Sequence, residues 1–258
     1  MIHSLVNIDD SVKIAENVNI DAFTTIHKNV EIGSGTLIGS NVTIMEGARI
    51  GENCKIFPGA VISAIPQDLK FDGEDSLVII GNNTTIRECA TINRGTKASG
   101  KTIIGNDCLI MAYAHVAHDC RIGNNCIIVN NVALGGHVLI RDYAIIGGLS
   151  AIHQFVSIGE HTMISGGSLV RKDVPPFVKV AKEPLSFTGI NSLGLRRRGF
   201  NSHKINEIKE IYRQIFQKSN NVSQALKIIK AEFDASFERD LIINFINQSD
   251  RGIIKNKF

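Results

Sequence analysis

An aliphatic residue returns at every sixth position through the centre of the chain: Ile104, Ile110, Val116, Ile122, Ile128, Leu134, Ile140, Ile146, Ile152, Ile158, Ile164 and Val170. A helix marks its apolar face at three- and four-residue spacing and a flat strand at two. A strict six therefore requires a strand interrupted by a turn at regular intervals. Four positions after each aliphatic residue stands a small or β-branched one, as at Cys108, Ala114, Cys120, Val132 and Ser150. It precedes the next aliphatic by two, the same-face spacing of a strand, so both point inward while the residues between them turn a corner. Three such sides close a coil of eighteen residues, and stacked coils bury one continuous apolar column. The reading is a mainly β chain built on a triangular parallel β-solenoid.

The same phase runs from the start of the chain, where Ile8, Ile14, Ile20, Ile26, Ile32, Ile38, Ile44, Ile50, Ile56 and Ile62 are all isoleucine. Glycine follows the aliphatic residue directly at Gly33, Gly51, Gly105 and Gly147, and asparagine stands two positions further on at Asn17, Asn41, Asn53 and Asn125. Both types suit the left-handed backbone of tight corners. Two stretches break the rhythm, residues 63–78 and 97–102, and are expected as loops thrown out from the column. The second contains Ser99-Gly100-Lys101-Thr102, which lacks the first glycine and the strand-to-helix context of a phosphate loop. The period ends at Pro175-Pro176. From Ser202 apolar residues fall at helical spacing, as in Ile205, Ile208, Tyr212 and Ile215. Three short amphipathic helices are expected, with a further turn over residues 191–198. The division is a solenoid at 1–176 and a C-terminal helical domain at 177–258.

The formal charge of +3 is too mild to imply nucleic acid, although Arg196-Arg197-Arg198 forms a local basic cluster that reads as a solvated face or as a seat for an acidic partner or phosphate. No apolar run approaches the roughly twenty residues of a membrane span, and Met1-Ile2-His3-Ser4 lacks the pattern of a signal peptide. The expectation is a cytoplasmic protein without a transmembrane segment. Cys54, Cys108, Cys120 and Cys126 occupy the small inward position of their hexads, where thiols act as small hydrophobes.

Polar chemistry gathers on one outer edge. Eighteen residues per coil put His118 beneath Gly136-His137, and those beneath His153-Gln154, with neighbouring coils about 4.8 Å apart. His115 stands on the strand entering that corner. Histidine suits proton transfer near neutral pH or zinc binding. Three classes of function follow: group transfer with a histidine base, a hydratase in which histidines of neighbouring subunits hold zinc, and a non-catalytic scaffold. The zinc reading leaves the helices and the arginine cluster without a role, and the scaffold leaves the clustered histidines without one.

The residues also carry a resemblance. Gln67-Asp68-Leu69-Lys70, Ile92-Asn93-Arg94-Gly95-Thr96, Ala114-His115-Val116-Ala117-His118-Asp119-Cys120, Gly136-His137-Val138 and Ile152-His153-Gln154-Phe155 are the first pieces. Asp173-Val174-Pro175-Pro176 and Leu195-Arg196-Arg197-Arg198-Gly199-Phe200 complete the set. Across essentially its whole length the chain resembles the bacterial UDP-N-acetylglucosamine O-acyltransferases, the acyl-carrier-protein-dependent enzymes that open lipid A synthesis. A related N-acyltransferase carries an additional N-terminal uridine-binding domain, for which hexads beginning at residue 8 leave no room.

The resemblance implies a homotrimer of left-handed parallel β-helices with active sites in clefts between subunits. It implies His118 as the general base for the sugar 3-hydroxyl, His115 as its support and the Gly136 N–H as oxyanion donor. Gln67, Asp68, Lys70, Asn93, His137, His153 and Gln154 match positions around the nucleotide sugar or acyl chain. Asn191, Arg197 and Arg198 match substrate-binding positions near the nucleotide, and Arg196 and Arg198 also suit an acidic carrier protein. Gly166 matches the position that sets acyl length, and glycine there implies a long 3-hydroxyacyl donor. No cofactor or metal is implied, since the donor arrives on the phosphopantetheine of acyl carrier protein. Asn93 stands where many relatives have histidine, and Leu193 where an acidic residue is common. Those departures raise a second acceptor, the 3-amino analogue of the sugar.

Overall fold

The computed structural model describes residues 1–255. Among these residues three sheets of nine, eight and ten strands, parallel except for the last strand of the third, form the faces of a prism, and consecutive strands of the column visit them in turn. The first sheet runs from Asn7–Ile8 to Leu169–Val170, the second from Lys13–Ile14 to Ser157–Ile158, and the third from Asn19–Ile20 upward. Stacking is in register: Ile110 pairs with Ile128, Val116 with Leu134 and Ile122 with Ile140. The fold is a left-handed parallel β-helix with a small helical domain at its C-terminal end.

Its core is the ladder that the period requires. Ile110, Ile128, Ile146 and Ile164 are wholly buried, each worth about 1.5–3 kcal/mol of transfer free energy. The inward cysteines are buried as well. Cys108 Sγ lies 3.0 Å from the Gly123 carbonyl and Cys126 Sγ 3.1 Å from that of Arg141. Burial pushes the Cys120 thiol up to about 12, so it stays protonated.

The corner asparagines behave as expected, with φ of 59° at Asn17 and 55° at Asn125. The glycines that follow the aliphatic residues are needed for another reason. Among them, Gly105 and Gly147 are not in the left-handed region, but a Cβ on Gly105 would lie 2.7 Å from the Gly123 carbonyl carbon, and one on Gly147 2.8 Å from the Ser165 carbonyl carbon. Close approach of the next coil selects them, not left-handed φ.

Both interruptions leave the column, with a local register shift between Ile62 and Ala64 beside the first. Val61 pairs with Thr91 and Ile80 with Ile104, so each extra segment is extruded and the ladder resumes in phase. Past Pro175-Pro176 the third sheet gains a parallel strand, Val178–Ala181 on Met163–Ile164, and then an antiparallel one, Ser186–Ile190. Helices α1 (Ser192–Arg197), α2 (Ser202–Arg213), α3 (Val222–Glu232) and α4 (Phe237–Asn247) follow, and a π-helical turn at Gln214–Lys218 extends α2. Asn191, Asn201, Asn221 and Ser236 cap their N-termini. Tyr212, fully buried, donates to the Pro176 carbonyl at 2.6 Å and so fastens α2 to the column.

Candidate active site

His118 sits at the corner between the first and second sheets, and the residue after it turns the chain. Asp119 has φ +60°, which aims its carboxylate back under the His118 ring. Nδ1 of His118 lies 2.8 Å from Asp119 Oδ2. The carboxylate is fully enclosed and accepts three further hydrogen bonds. Thr96 N–H donates to Oδ1 at 3.1 Å, Thr96 Oγ1 to Oδ2 at 2.7 Å, and Ser99 Oγ also donates to Oδ1. Burial pushes the Asp119 carboxyl up, but hydrogen bonds from Ser99, His118 and Thr96 outweigh it and hold the group below the usual aspartate value. An ionised Asp119 fixes the proton of neutral His118 on Nδ1, which leaves Nε2 as a free acceptor.

Around Nε2 the walls are set by stacking. A Cβ on Gly136 would lie 2.7 Å from His118 Nε2, so only glycine lets the ring lie flat there. The Gly136 N–H makes no hydrogen bond among the described residues and remains an available donor. The first loop closes from the side, with Asp68 Oδ2 3.9 Å from Nε2. Asp68 Oδ1 accepts from the Lys70 N–H at 3.0 Å, while Gln67 and Lys70 are exposed. His137 stands edge-on to His118 at 5.2 Å and stacks on Phe155 at 4.5 Å. Its coil partners are therefore Asp119 and Phe155, one residue off the stacking expected with His153-Gln154. His115 is bound to Thr91 Oγ1 at 2.8 Å. Burial, then the proximity of the His118 ring, lowers its pKa, so it is neutral at pH 7. His153 is exposed, with Nδ1 3.0 Å from the Gln154 carbonyl.

Other expected residues lie elsewhere. Asn93 is 2% exposed, and its amide is spent holding the first loop through the Ile65 carbonyl at 2.9 Å. The register shift between Ile62 and Ala64 lies beside it, and its Oδ1 has no hydrogen-bond partner among the described residues. Gly166 stands at the corner between the third and first sheets, where a Cβ would meet the Gly148 carbonyl oxygen at 3.0 Å. Asn191 and Arg198 stand at the corner between the second and third sheets. Asn191 Nδ2 donates to the His161 carbonyl at 2.9 Å, Arg198 Nη1 lies 3.3 Å from His161 Nδ1, and Arg197 is exposed. One chain therefore distributes the expected site over all three of its edges. Asp119, Thr96, Ser99 and His161 carried no assignment from sequence. The one available signal was the adjacency of Asp119 to His118.

His118, Asp119 and His137 place their ligand atoms within 4.8 Å of one another, close enough for a cation. Asp119, however, is committed to four donors, two on each carboxylate oxygen, and a metal on either oxygen would have to displace or reorient its pair. The donor set suits proton transfer better.

Residues 173–254 match the family described as Udp N-acetylglucosamine O-acyltransferase, Domain 2, and residues 11–46, 29–64 and 101–136 match the bacterial transferase hexapeptide. Acyl-[acyl-carrier-protein]–UDP-N-acetylglucosamine O-acyltransferase of Chlorobium phaeobacteroides is 51% identical over 193 residues, covering 74% of this chain and 73% of that one. Its counterpart in Paracidovorax citrulli is 48% identical over 199 residues, covering 75% and 76%. The crystal structure of the UDP-N-acetylglucosamine acyltransferase from Bacteroides fragilis superposes with a TM-score of 0.98 at 49% identity, covering 99% of this chain and 100% of that one. The chain belongs to the UDP-N-acetylglucosamine O-acyltransferase family. The Arabidopsis UDP-N-acetylglucosamine acyltransferase keeps the same fold at 32% identity, with a TM-score of 0.83 over 99% of this chain and 100% of that one. No helix among the described residues of this family member is long and apolar enough to cross a membrane.

The buried Asp119 network generates a prediction in stability as well as chemistry. Asp119→Ala leaves Thr96, Ser99 and His118 donors unpaired and should cost about 1–3 kcal/mol at pH 7. Since the folded pKa lies below the ordinary value of about 3.9, the stabilisation is complete above roughly pH 5 and is lost as pH falls through the lowered value. Urea unfolding of both proteins from pH 7 to pH 3 should show the gap closing in acid. A gap that stays constant would mean that Asp119 is not an ionised partner.

Proposed function

We propose that this chain transfers a long 3-hydroxyacyl group from acyl carrier protein to the 3-hydroxyl of UDP-N-acetylglucosamine, the first step of lipid A synthesis, as a cytoplasmic homotrimer. The observation that carries this reading is the open Nε2 of an Asp119-oriented His118 beside the unpaired N–H of Gly136. Nε2 takes the proton of the sugar hydroxyl as its oxygen attacks the thioester carbonyl. Negative charge then developing on the carbonyl oxygen is met by the Gly136 N–H, a fixed dipole with nothing to reorganise. When the intermediate collapses, the C–S bond breaks and the imidazolium returns its proton to the departing phosphopantetheine thiolate. The products are the 3-O-acyl sugar and the free carrier thiol, so the balance needs no cofactor held by this chain.

The homotrimer is supported by the spread of site residues over three edges. A substrate touching both His118 and Arg198 must bridge two chains, because these groups occupy different corners of one prism. The pairing of unlike edges around a threefold axis supplies that bridge. Mixed trimers test this: His118→Ala and Arg198→Ala subunits, each of low activity alone, should recover part of wild-type activity once refolded together. Mixtures no more active than their parents would overturn the shared cleft.

His118→Ala should leave the fold intact and lower turnover at least ~10²-fold, the usual minimum for a general base. His115→Ala should cost less. Assays on the 3-hydroxyl sugar and its 3-amino analogue, run in parallel, decide the acceptor. Turnover confined to the amine, or a His118→Ala variant above a tenth of wild-type rate, would defeat the reading.

Gly166 is outside the left-handed φ region, so its backbone accepts a side chain. A Cβ there would meet the Gly148 carbonyl oxygen at 3.0 Å, tight but short of a forbidden contact. Each buried methylene contributes about 0.8 kcal/mol. Gly166→Met should therefore shift preference to donors several carbons shorter in a competition among 3-hydroxyacyl carrier-protein thioesters. An unchanged length profile would remove Gly166 from the role.

A further inference from the structure

The corner between the second and third sheets changes character near the C-terminal end of the column. In the lower coils its left-handed position is held by Asn17, Asn53, Asn83 and Asn125, the residue type that tolerates such a backbone best. In the last three coils the same position holds Tyr143, His161 and Phe177, still at φ 62°, 57° and 66°. Aromatic residues go against the local backbone preference there, so their side chains must be what selects them. They stack on one another, Tyr143 on His161 at 4.7 Å and His161 on Phe177 at 5.6 Å, with Phe200 edge-on to His161 at 5.2 Å.

Stacking accounts for a ring, but it does not account for imidazole in the middle of three. The nitrogen has a specific use. Nδ1 of His161 lies 3.3 Å from Arg198 Nη1, and the Arg198 guanidinium lies 5.0 Å over the Tyr143 ring. Burial, then the charge of Arg198, depresses His161 to about 4 against a smaller opposing effect of Asp142, so the ring is neutral and offers Nδ1 as an acceptor. No carboxylate lies within 4 Å of the Arg198 guanidinium among the described residues. Half-buried, oriented and uncompensated, this cation is prepared for an anion that the chain itself does not supply. The backbone of the same histidine takes the Asn191 amide, so His161 fixes both ends of the Asn191–Arg198 segment.

We propose that His161 is a positioning residue, whose Nδ1 and ring hold the Arg198 guanidinium over Tyr143 so that it meets the diphosphate of the nucleotide sugar already aimed. This rests on the reading of the acceptor as a nucleotide sugar. Two substitutions separate orientation from packing. His161→Phe keeps the ring in the stack and removes the acceptor. His161→Asn keeps a side-chain acceptor, and asparagine already serves this corner in lower coils. Loss of a hydrogen bond to a charged group corresponds to about tenfold in binding. His161→Phe should therefore raise KM for UDP-N-acetylglucosamine about tenfold, leave kcat and the KM for the acyl donor within about twofold, and melt close to wild type. His161→Asn should recover most of the KM even if it melts lower. A His161→Phe enzyme with wild-type KM, or a KM defect in both variants that tracks their melting temperatures, overturns the proposal. Wild-type protein inert toward the nucleotide sugar would instead defeat the reading on which the proposal rests.

Discussion

Vertical hydrogen bonding between coils is the constraint on which everything else in this protein depends. Each strand N–H points along the column to a carbonyl one coil away, as in His115 to Val132 at 2.8 Å and Ile127 to Ala144 at 3.0 Å. Parallel strands ordinarily need long crossovers, and here the remaining two sides of each coil are the crossover. Because the ladder permits no slippage without turning the isoleucines outward, every residue has a fixed height and a fixed face. Extra residues cannot be absorbed into the column. They must leave it, and both insertions leave it beside the histidine edge.

That placement gives the loops chemical roles. Residues 63–78 bring Asp68 to the open side of His118, and the segment from Thr96 to Thr102 brings two hydroxyls and an amide to Asp119. A carboxylate buried this deeply would be protonated if left alone. With four donors it stays ionised, and its charge orients the His118 ring so that Nε2 is left free. The column supplies rigidity, and the loops supply the polar environment that a solenoid of hexads cannot build from its own repeats.

The period was legible because isoleucine marks nearly every inward position from Ile8 to Ile164, and the buried thiols and the helical tail followed from spacing alone. Arithmetic on coils also brought His118, Gly136 and His137 to one edge. It stopped being sufficient wherever direction depends on a local φ or on a non-repeating segment. Asp119 reads as a corner residue, and only its left-handed φ turns it beneath His118. Asn93 reads as a strand residue, yet its amide is buried against the first loop, beside an irregular register. His161 has an ordinary place in the repeat, yet its partners Asn191 and Arg198 come from a segment outside the period. The corner glycines were correctly located but for the wrong cause, since periodicity cannot distinguish a demand on φ from a demand on space.

A triangular column has three edges, and in this one they carry different chemistry: a base and its carboxylate, a glycine-lined corner at Gly148 and Gly166, and an arginine held against aromatic rings. No single edge holds a complete set for a donor, an acceptor and an anion. If two copies met through the same edge, each pair would join like to like and leave the other chemistry facing solvent. Contact between unlike edges has the opposite property, because each copy offers one edge and receives another. Such a heterologous contact either propagates indefinitely or closes into a ring. A contact that relates successive copies by one third of a turn closes after three, which is the arrangement proposed above. The repeat that builds the column thus gives each copy three unlike edges, the asymmetry that a heterologous contact uses.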